Sequence, residues 1–189
     1  MYFVPCMYPV HCPYYMNMPT YEFTGPPVYG TFSQDMNGRN VYASQYNFES
    51  ADRIPIKDYG AQPFVVNINE AAKQNNTYRT ALWTGPHLQV TLMSINVGDD
   101  IGLEVHPDND QFLRIEQGQG VVRMGPRQDR LTFERQVMDD SAIMVPAGTW
   151  HNVINTGNVP LKLYAIYAPP HHPFGTVHAT KEIAMAEED

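Results

Sequence analysis

Two short stretches of this chain hold side chains that can do chemistry together. In the first, Glu104 and His106 stand two apart on an extended segment, so their side chains point to one face. Pro107 to Asp110 then reverse the chain, and Gln111 opens the returning strand opposite them. An acid, an imidazole and an amide oxygen are thereby brought together by local folding alone. In the second, a strand ends at Pro146, Gly148 permits a turn that sterics deny to most residues, and His151 begins the next strand.

Side chains can converge this way only on a sheet framework, and the surrounding sequence supplies one. The runs Tyr78 to Trp83, Leu88 to Val97, Gln111 to Ile115, Gly120 to Gly125, Arg130 to Phe133, Ala142 to Val145, His151 to Asn155 and Leu161 to Ala168 are rich in β-branched and aromatic residues. Turn signals such as Thr84-Gly85-Pro86, Gly98-Asp99-Asp100 and Thr156-Gly157-Asn158 separate them. Eight short strands at this spacing predict an all-β protein, an antiparallel sandwich or barrel. Pro63 to Ile68 is a ninth strand candidate. Asn69 to Gln74 opens like a short helix with Asn69 as N-cap, and a second short helix is expected near Lys181 to Met185.

The remaining segments read differently. Residues 1–30 carry Pro at 5, 9, 13, 19, 26 and 27 and Tyr at 2, 8, 14, 15, 21 and 29, which forbids a helix and spoils a ladder, so an extended arm is expected there. Cys6, His11 and Cys12 within it lack the spacing of a known zinc motif. The expected organisation is thus an arm at 1–30, a pre-barrel segment at 31–76, a barrel at 77–170 and a C-terminal tail at 171–189.

Composition narrows the function. The 189 residues carry 12 basic and 20 acidic side chains, a formal charge of -8, which disfavours nonspecific binding to nucleic acid or to anionic membranes. No run approaches the roughly 18 to 20 apolar residues of a membrane span, and no basic-then-apolar leader opens the chain. A cytoplasmic protein with a small-molecule ligand is expected, with spore association as a further possibility for the Tyr-rich arm. Both faces of Leu161 to Ala168 are apolar, as for a strand covered twice, and a homodimer is expected.

The two stretches resemble the paired motifs of the cupin superfamily. The first motif runs Gly, five residues, two ligands one apart, three or four residues, a third ligand, six residues, Gly; here Gly98, Glu104, His106, Gln111 and Gly118 fall at those places. The second runs Gly, five residues, Pro-x-Gly, two residues, His, three residues, Asn; Pro146, Gly148, His151 and Asn155 match, while Asp140 replaces the opening Gly. The resemblance implies a jelly-roll β-barrel whose mouth holds a divalent metal on Glu104, His106, Gln111 and His151. The commonest cupin has His at the first ligand place and Glu at the third, so Glu104 and Gln111 are departures. Mannose-6-phosphate isomerases of the superfamily likewise use two His, one Glu and one Gln, with the Glu and Gln exchanged.

Such nitrogen and oxygen donors suit Mn, Fe, Zn, Co or Ni rather than Ca. Without an ion, Glu104 would face a barrel interior with no positive partner, at a cost on the order of several kcal/mol. The implied function is a metal-dependent enzyme on a small polar substrate, of isomerase or dioxygenase type. The alternative is a non-catalytic metal-binding or spore-coat-like assembly protein. Arg114, Arg123, Arg127 and Arg130 offer no clustered grip for a sugar phosphate, and His171, His172 and His178 are expected to lie beyond the barrel.

Overall fold

The computed structural model describes residues 53–188, together with the backbone of β1 (Phe32–Gln34) and β2 (Asn40–Tyr42). The chain divides into two units, Met1–Ser50 and Ala51–Asp189. The first contributes only the antiparallel pair of β1 and β2 to the description. The arm at 1–30, with Cys6, His11 and Cys12, lies outside the described residues.

In the second unit, helix α1 (Ile68–Gln74) precedes strands β3 (Arg79–Thr84), β4 (Gln89–Ile95), β5 (Asp110–Gln117), β6 (Gln119–Gly125), β7 (Phe133–Met138), β8 (Ala142–Val145), β9 (Trp150–Asn155), β10 (Leu161–Ala168) and β11 (Val177–His178), and helix α2 (Lys181–Glu188) follows. These strands form a six-stranded sheet in the order β11-β3-β4-β10-β5-β8 and a three-stranded sheet in the order β7-β6-β9. Every pairing is antiparallel, as the short, turn-separated runs require. The two sheets enclose one core that includes Met93, Leu113, Ile115, Val122, Val153 and Leu163. This is the all-β jelly-roll sandwich with two short helices that the sequence predicts.

Alternation sets which side chains face in. Leu113 and Ile115 on β5 and Val153 on β9 are buried in the core, while Arg114 turns outward and pairs with Glu116 and Asp140. On the inner face of the large sheet, Gln89, Tyr167, Gln111 and Val145 form one cross-strand row. A second cluster covers the opposite face: Ala71 and Ala72 of α1 pack with Leu82 and Leu92, and Phe64, Val66, Val90 and Tyr164 close around them. Strand β10 is therefore covered on both faces by its own chain.

Three local expectations change. Residues 63–67 form no strand; Phe64 and Val66 place their apolar side chains against the outer cluster instead. The helix is capped by Asn67, whose side chain accepts from the Glu70 N–H at 3.3 Å, and Asn69 instead donates to Glu116 at 2.6 Å. At the other end of α1, the buried Lys162 ammonium donates to the carbonyl of the C-cap Asn75, a group the helix leaves open, and to Asn76 Oδ1. Strand β7 begins at Phe133, where Arg130 to Phe133 was expected. Its exposure at every position except Val137 erases the alternation that would reveal an edge strand.

Candidate metal centre

Backbone pairing fixes the first two residues of the site. The Glu104 N–H donates to the His151 carbonyl at 3.0 Å, and the His151 N–H donates to the Glu104 carbonyl at 2.9 Å, an isolated antiparallel bridge outside the regular strands. The turn before β9 joins the third: Gly148, at φ +74°, donates its N–H to the His106 carbonyl at 2.8 Å. Glycine adopts that φ without the steric penalty a Cβ brings. The two motifs are thus stitched together through main-chain groups, and their side chains follow.

Those side chains converge. Glu104 Oε1 lies 3.3 Å from His106 Nε2 and 3.2 Å from His151 Nε2. One donor atom from each of the three residues lies within 4.8 Å of the others, a grouping that could hold a metal ion. Both imidazoles are buried, and Glu104 is close to it at 13% exposure. Burial alone would raise the Glu104 pKa, but hydrogen bonds from His106 and His151 outweigh it and hold the carboxyl well below its usual range.

The tautomer of His151 sharpens the chemistry. Its Nδ1 lies 2.9 Å from the Thr149 carbonyl, which can only accept, so Nδ1 carries a proton and Nε2 is the ring nitrogen turned toward Glu104. Nε2 and the carboxylate oxygen, 3.2 Å apart, attract one another only through a proton or a cation between them. Gln111 also faces the interior, with both amide atoms buried and without a hydrogen-bond partner among the described residues. An orphaned buried amide costs about 1 to 3 kcal/mol, which a ligand for its oxygen would remove.

Glu104 does have a positive partner, contrary to expectation. Arg79 on β3, 1% exposed, places Nη2 3.8 Å from Glu104 Oε2. The carboxylate is divided: Oε1 faces the imidazoles and Oε2 faces the guanidinium. Alternation along β3 says that Arg79 and Ala81 share a face but not which face is inside, so the sequence held only half of this signal.

The C-terminal segment departs most from expectation. Instead of leaving the barrel, residues 169–188 return across its mouth. β11 adds to β3, opposing His178 to Arg79. The His171 ring lies 4.1 Å from that of His106 at a tilt of 60°, and Tyr167 lies 5.5 Å from both. Gln89 clamps the strap: its Nε2 donates to the His172 carbonyl at 2.9 Å, and its Oε1 accepts from the His172 N–H at 2.9 Å and the His171 N–H at 3.3 Å. His172 and His178 are buried, and His178 pairs with Glu187 of α2 at 3.0 Å.

Between strap and barrel lies a cavity of about 530 Å³. Glu104, His106, His171, His172, His178 and Glu187 supply its titratable groups, and Leu103, Val105, Trp150 and Met185 are among its apolar walls. Trp150, beside His151 in the chain, is one of these walls. Asn155 serves its loop, donating to the Ile95 and Val159 carbonyls and accepting from the Gly157 N–H.

A jelly-roll of two antiparallel sheets with this His/Glu cluster at its mouth defines a class, and the chain belongs to the cupin superfamily. The cupin-domain family model matches residues 91–167, which include all four expected ligands. Over 189 residues, the full length of both chains, the protein is 60% identical to the uncharacterized protein YrkC of Bacillus subtilis (strain 168). It is 43% identical over 117 residues to the uncharacterized protein L612 of Acanthamoeba polyphaga mimivirus, covering 61% of this chain and 71% of that one. The crystal structure of BH2720 from Bacillus halodurans superposes with a TM-score of 0.69 at 68% identity, over 69% of this chain and 99% of that one.

Proposed function

We propose that the protein binds one divalent transition metal ion, Mn, Fe, Zn, Co or Ni, through Glu104 Oε1 and the Nε2 atoms of His106 and His151, with Gln111 as the fourth protein donor. The observation that carries this reading is the convergence of Glu104 Oε1 with the Nε2 atoms of His106 and His151, one ligand atom from each residue lying within 4.8 Å of the others. The orphaned Gln111 amide supports a fourth donor. The donor set, two imidazoles with oxygen ligands and no thiolate, fits these metals.

We further propose a metal-dependent enzyme acting on a small polar substrate. A bound ion supplies Lewis acidity or, if iron, oxygen activation, the isomerase-type and dioxygenase-type possibilities respectively. The protein's own residues provide the rest. Glu104, His106 and His151 are preset by main-chain bridges, and Trp150, Leu103 and Met185 line a cavity that opens beside them. A purely structural metal site would be closed on all sides, so this cavity favours turnover over the spore-coat-like assembly role.

Elemental analysis of the native protein beside Glu104→Ala and His151→Ala tests the assignment. One equivalent of a transition metal in the wild type and its loss in both variants are expected. A wild type without stoichiometric metal, or variants that retain it, would refute the site. A homodimer is also proposed, supported by Met144, exposed on the outer face of β8 beside half-buried Phe112 and Ile166 on β5 and β10. Sizing that returns a monomer mass would overturn it.

A further inference from the structure

The two imidazoles of the site are fixed in different ways. A ring turns easily about its last side-chain torsion, whose energy wells are broad, so its direction must come from what surrounds it. His151 is held by the hydrogen bond from its Nδ1 to the Thr149 carbonyl at 2.9 Å, the device that metal-binding histidines ordinarily use. His106 lacks one: its Nδ1 is buried and meets no hydrogen-bond partner among the described residues. Rings stand in the place of that bond. Measured between ring centroids, His171 lies 4.1 Å from His106 at a tilt of 60°, His151 5.4 Å at 61° and Tyr167 5.5 Å at 81°. His151 and Tyr167 belong to β9 and β10, but His171 arrives on the strap, where Gln89 Oε1 accepts from its N–H at 3.3 Å. His171 is exposed and stands outside the core cluster, whereas His106 is 5% exposed. The nearest ring to a buried ligand is thus carried by a residue that the core does not need.

We propose that His171 is a positioning residue, whose ring holds the His106 imidazole in the direction that presents Nε2 to an ion, so that the strap forms part of the metal centre. The inference rests on the metal reading above. It assigns the effect to the ring of His171 and to neither of its nitrogens. Because coupling between two sites is reciprocal, an ion held by His106 also steadies the strap.

The test compares Co²⁺ binding by the full-length wild type with three variants. His171→Phe keeps a ring without nitrogen, His171→Gln keeps polar atoms without a ring, and His171→Ala keeps neither. Stoichiometry in the wild type is measured first, and affinities then follow from competition with a chromophoric chelator. His171→Ala and His171→Gln are expected to bind Co²⁺ about tenfold more weakly than wild type, and His171→Phe to stay within about threefold of it. The Co²⁺ visible bands, which report coordination geometry, should match wild type in His171→Phe and shift in His171→Ala. Amide exchange across 169–178 should slow on loading in wild type and in His171→Phe, and slow less in His171→Ala. Wild-type affinity in His171→Ala, or a loss in His171→Phe as large as in His171→Ala, would overturn the inference. So would equal slowing of strap exchange in wild type and His171→Ala, or an affinity loss confined to variants already unfolded without metal. Failure of the wild type to take up stoichiometric Co²⁺ refutes the metal reading itself, whereas a loaded site indifferent to the His171 ring refutes only this inference.

Discussion

Glu104 and His151 are joined twice, once by a reciprocal pair of backbone hydrogen bonds at 3.0 and 2.9 Å and once by side chains whose Oε1 and Nε2 meet at 3.2 Å. The residues are far apart in sequence, yet the main-chain bridge leaves their side chains little freedom to separate. Such preorganisation means that a donor can be changed chemically without losing its position.

Glu104→Gln is therefore expected to keep the bridge and the fold while losing the charge that attracts the ion. Metal affinity should fall about 100-fold or more, measured by competition with a chromophoric chelator. Affinity within a few-fold of wild type would show that Glu104 is not a ligand.

Acid stability should report on the strap. Burial, reinforced by the charges of Arg79 and His171, pushes His172 down to about 2. Below about pH 6.5 the unfolded chain takes up a proton that the native state refuses, so stability is full above that pH and declines as the pH falls toward the native value. By pH 5 the loss reaches about 2 kcal/mol from this residue. Glu104 does not act in this window, because its depressed pKa costs stability only below the ordinary carboxylate range. Urea unfolding of metal-free protein at pH 7.5 and pH 5 should show a smaller drop in His172→Leu than in wild type. An equal drop in both would show that His172 titrates normally.

Gln89→Ala should release the segment that closes the cavity. The substitution strips partners from both backbone groups of buried His172, at about 1 to 3 kcal/mol for each group left unsatisfied. Amide exchange should rise across 169–178 while β5 and β10 stay protected. Unchanged exchange in the strap would mean that the clamp is not what holds it.

Asp140 offers a test of backbone conformation. It replaces the glycine that opens the second motif, and it sits at φ +67°. A left-handed non-glycine residue costs about 1 to 2 kcal/mol, which Asp→Gly relieves. Against this stand the greater chain entropy of glycine, about 0.5 to 1 kcal/mol, and the loss of an exposed contact with Arg114 worth about 0 to 1 kcal/mol. Asp140→Gly should be nearly neutral and Asp140→Val clearly destabilising in denaturant unfolding. Equal losses in the two variants would refute a conformational role.

The sequence disclosed those parts of the molecule where local pattern and tertiary position agree. β8 and β10 fall where their residue patterns place them, and Glu104, His106 and His151 converge because a one-residue spacing on a single segment and a Pro-x-Gly turn are local devices. What stayed hidden depends on contacts across the chain. Arg79 acquires its meaning only from a carboxylate on another segment, and His171, His172 and His178 only from a strap whose two-residue strand is too short to show a period. The twice-covered face of β10 was legible, but its cover is α1 of the same chain, so that pattern by itself requires no second subunit.

Asp140 also bears on how such proteins are found. The turn specifies a dihedral angle, and aspartate or asparagine meets that specification at a smaller cost than other side chains. A search pattern written in letters would reject this chain at that position, whereas one written in backbone angles would accept it. Patterns that admit these residues at the opening of the second motif should recover further chains with the same turn.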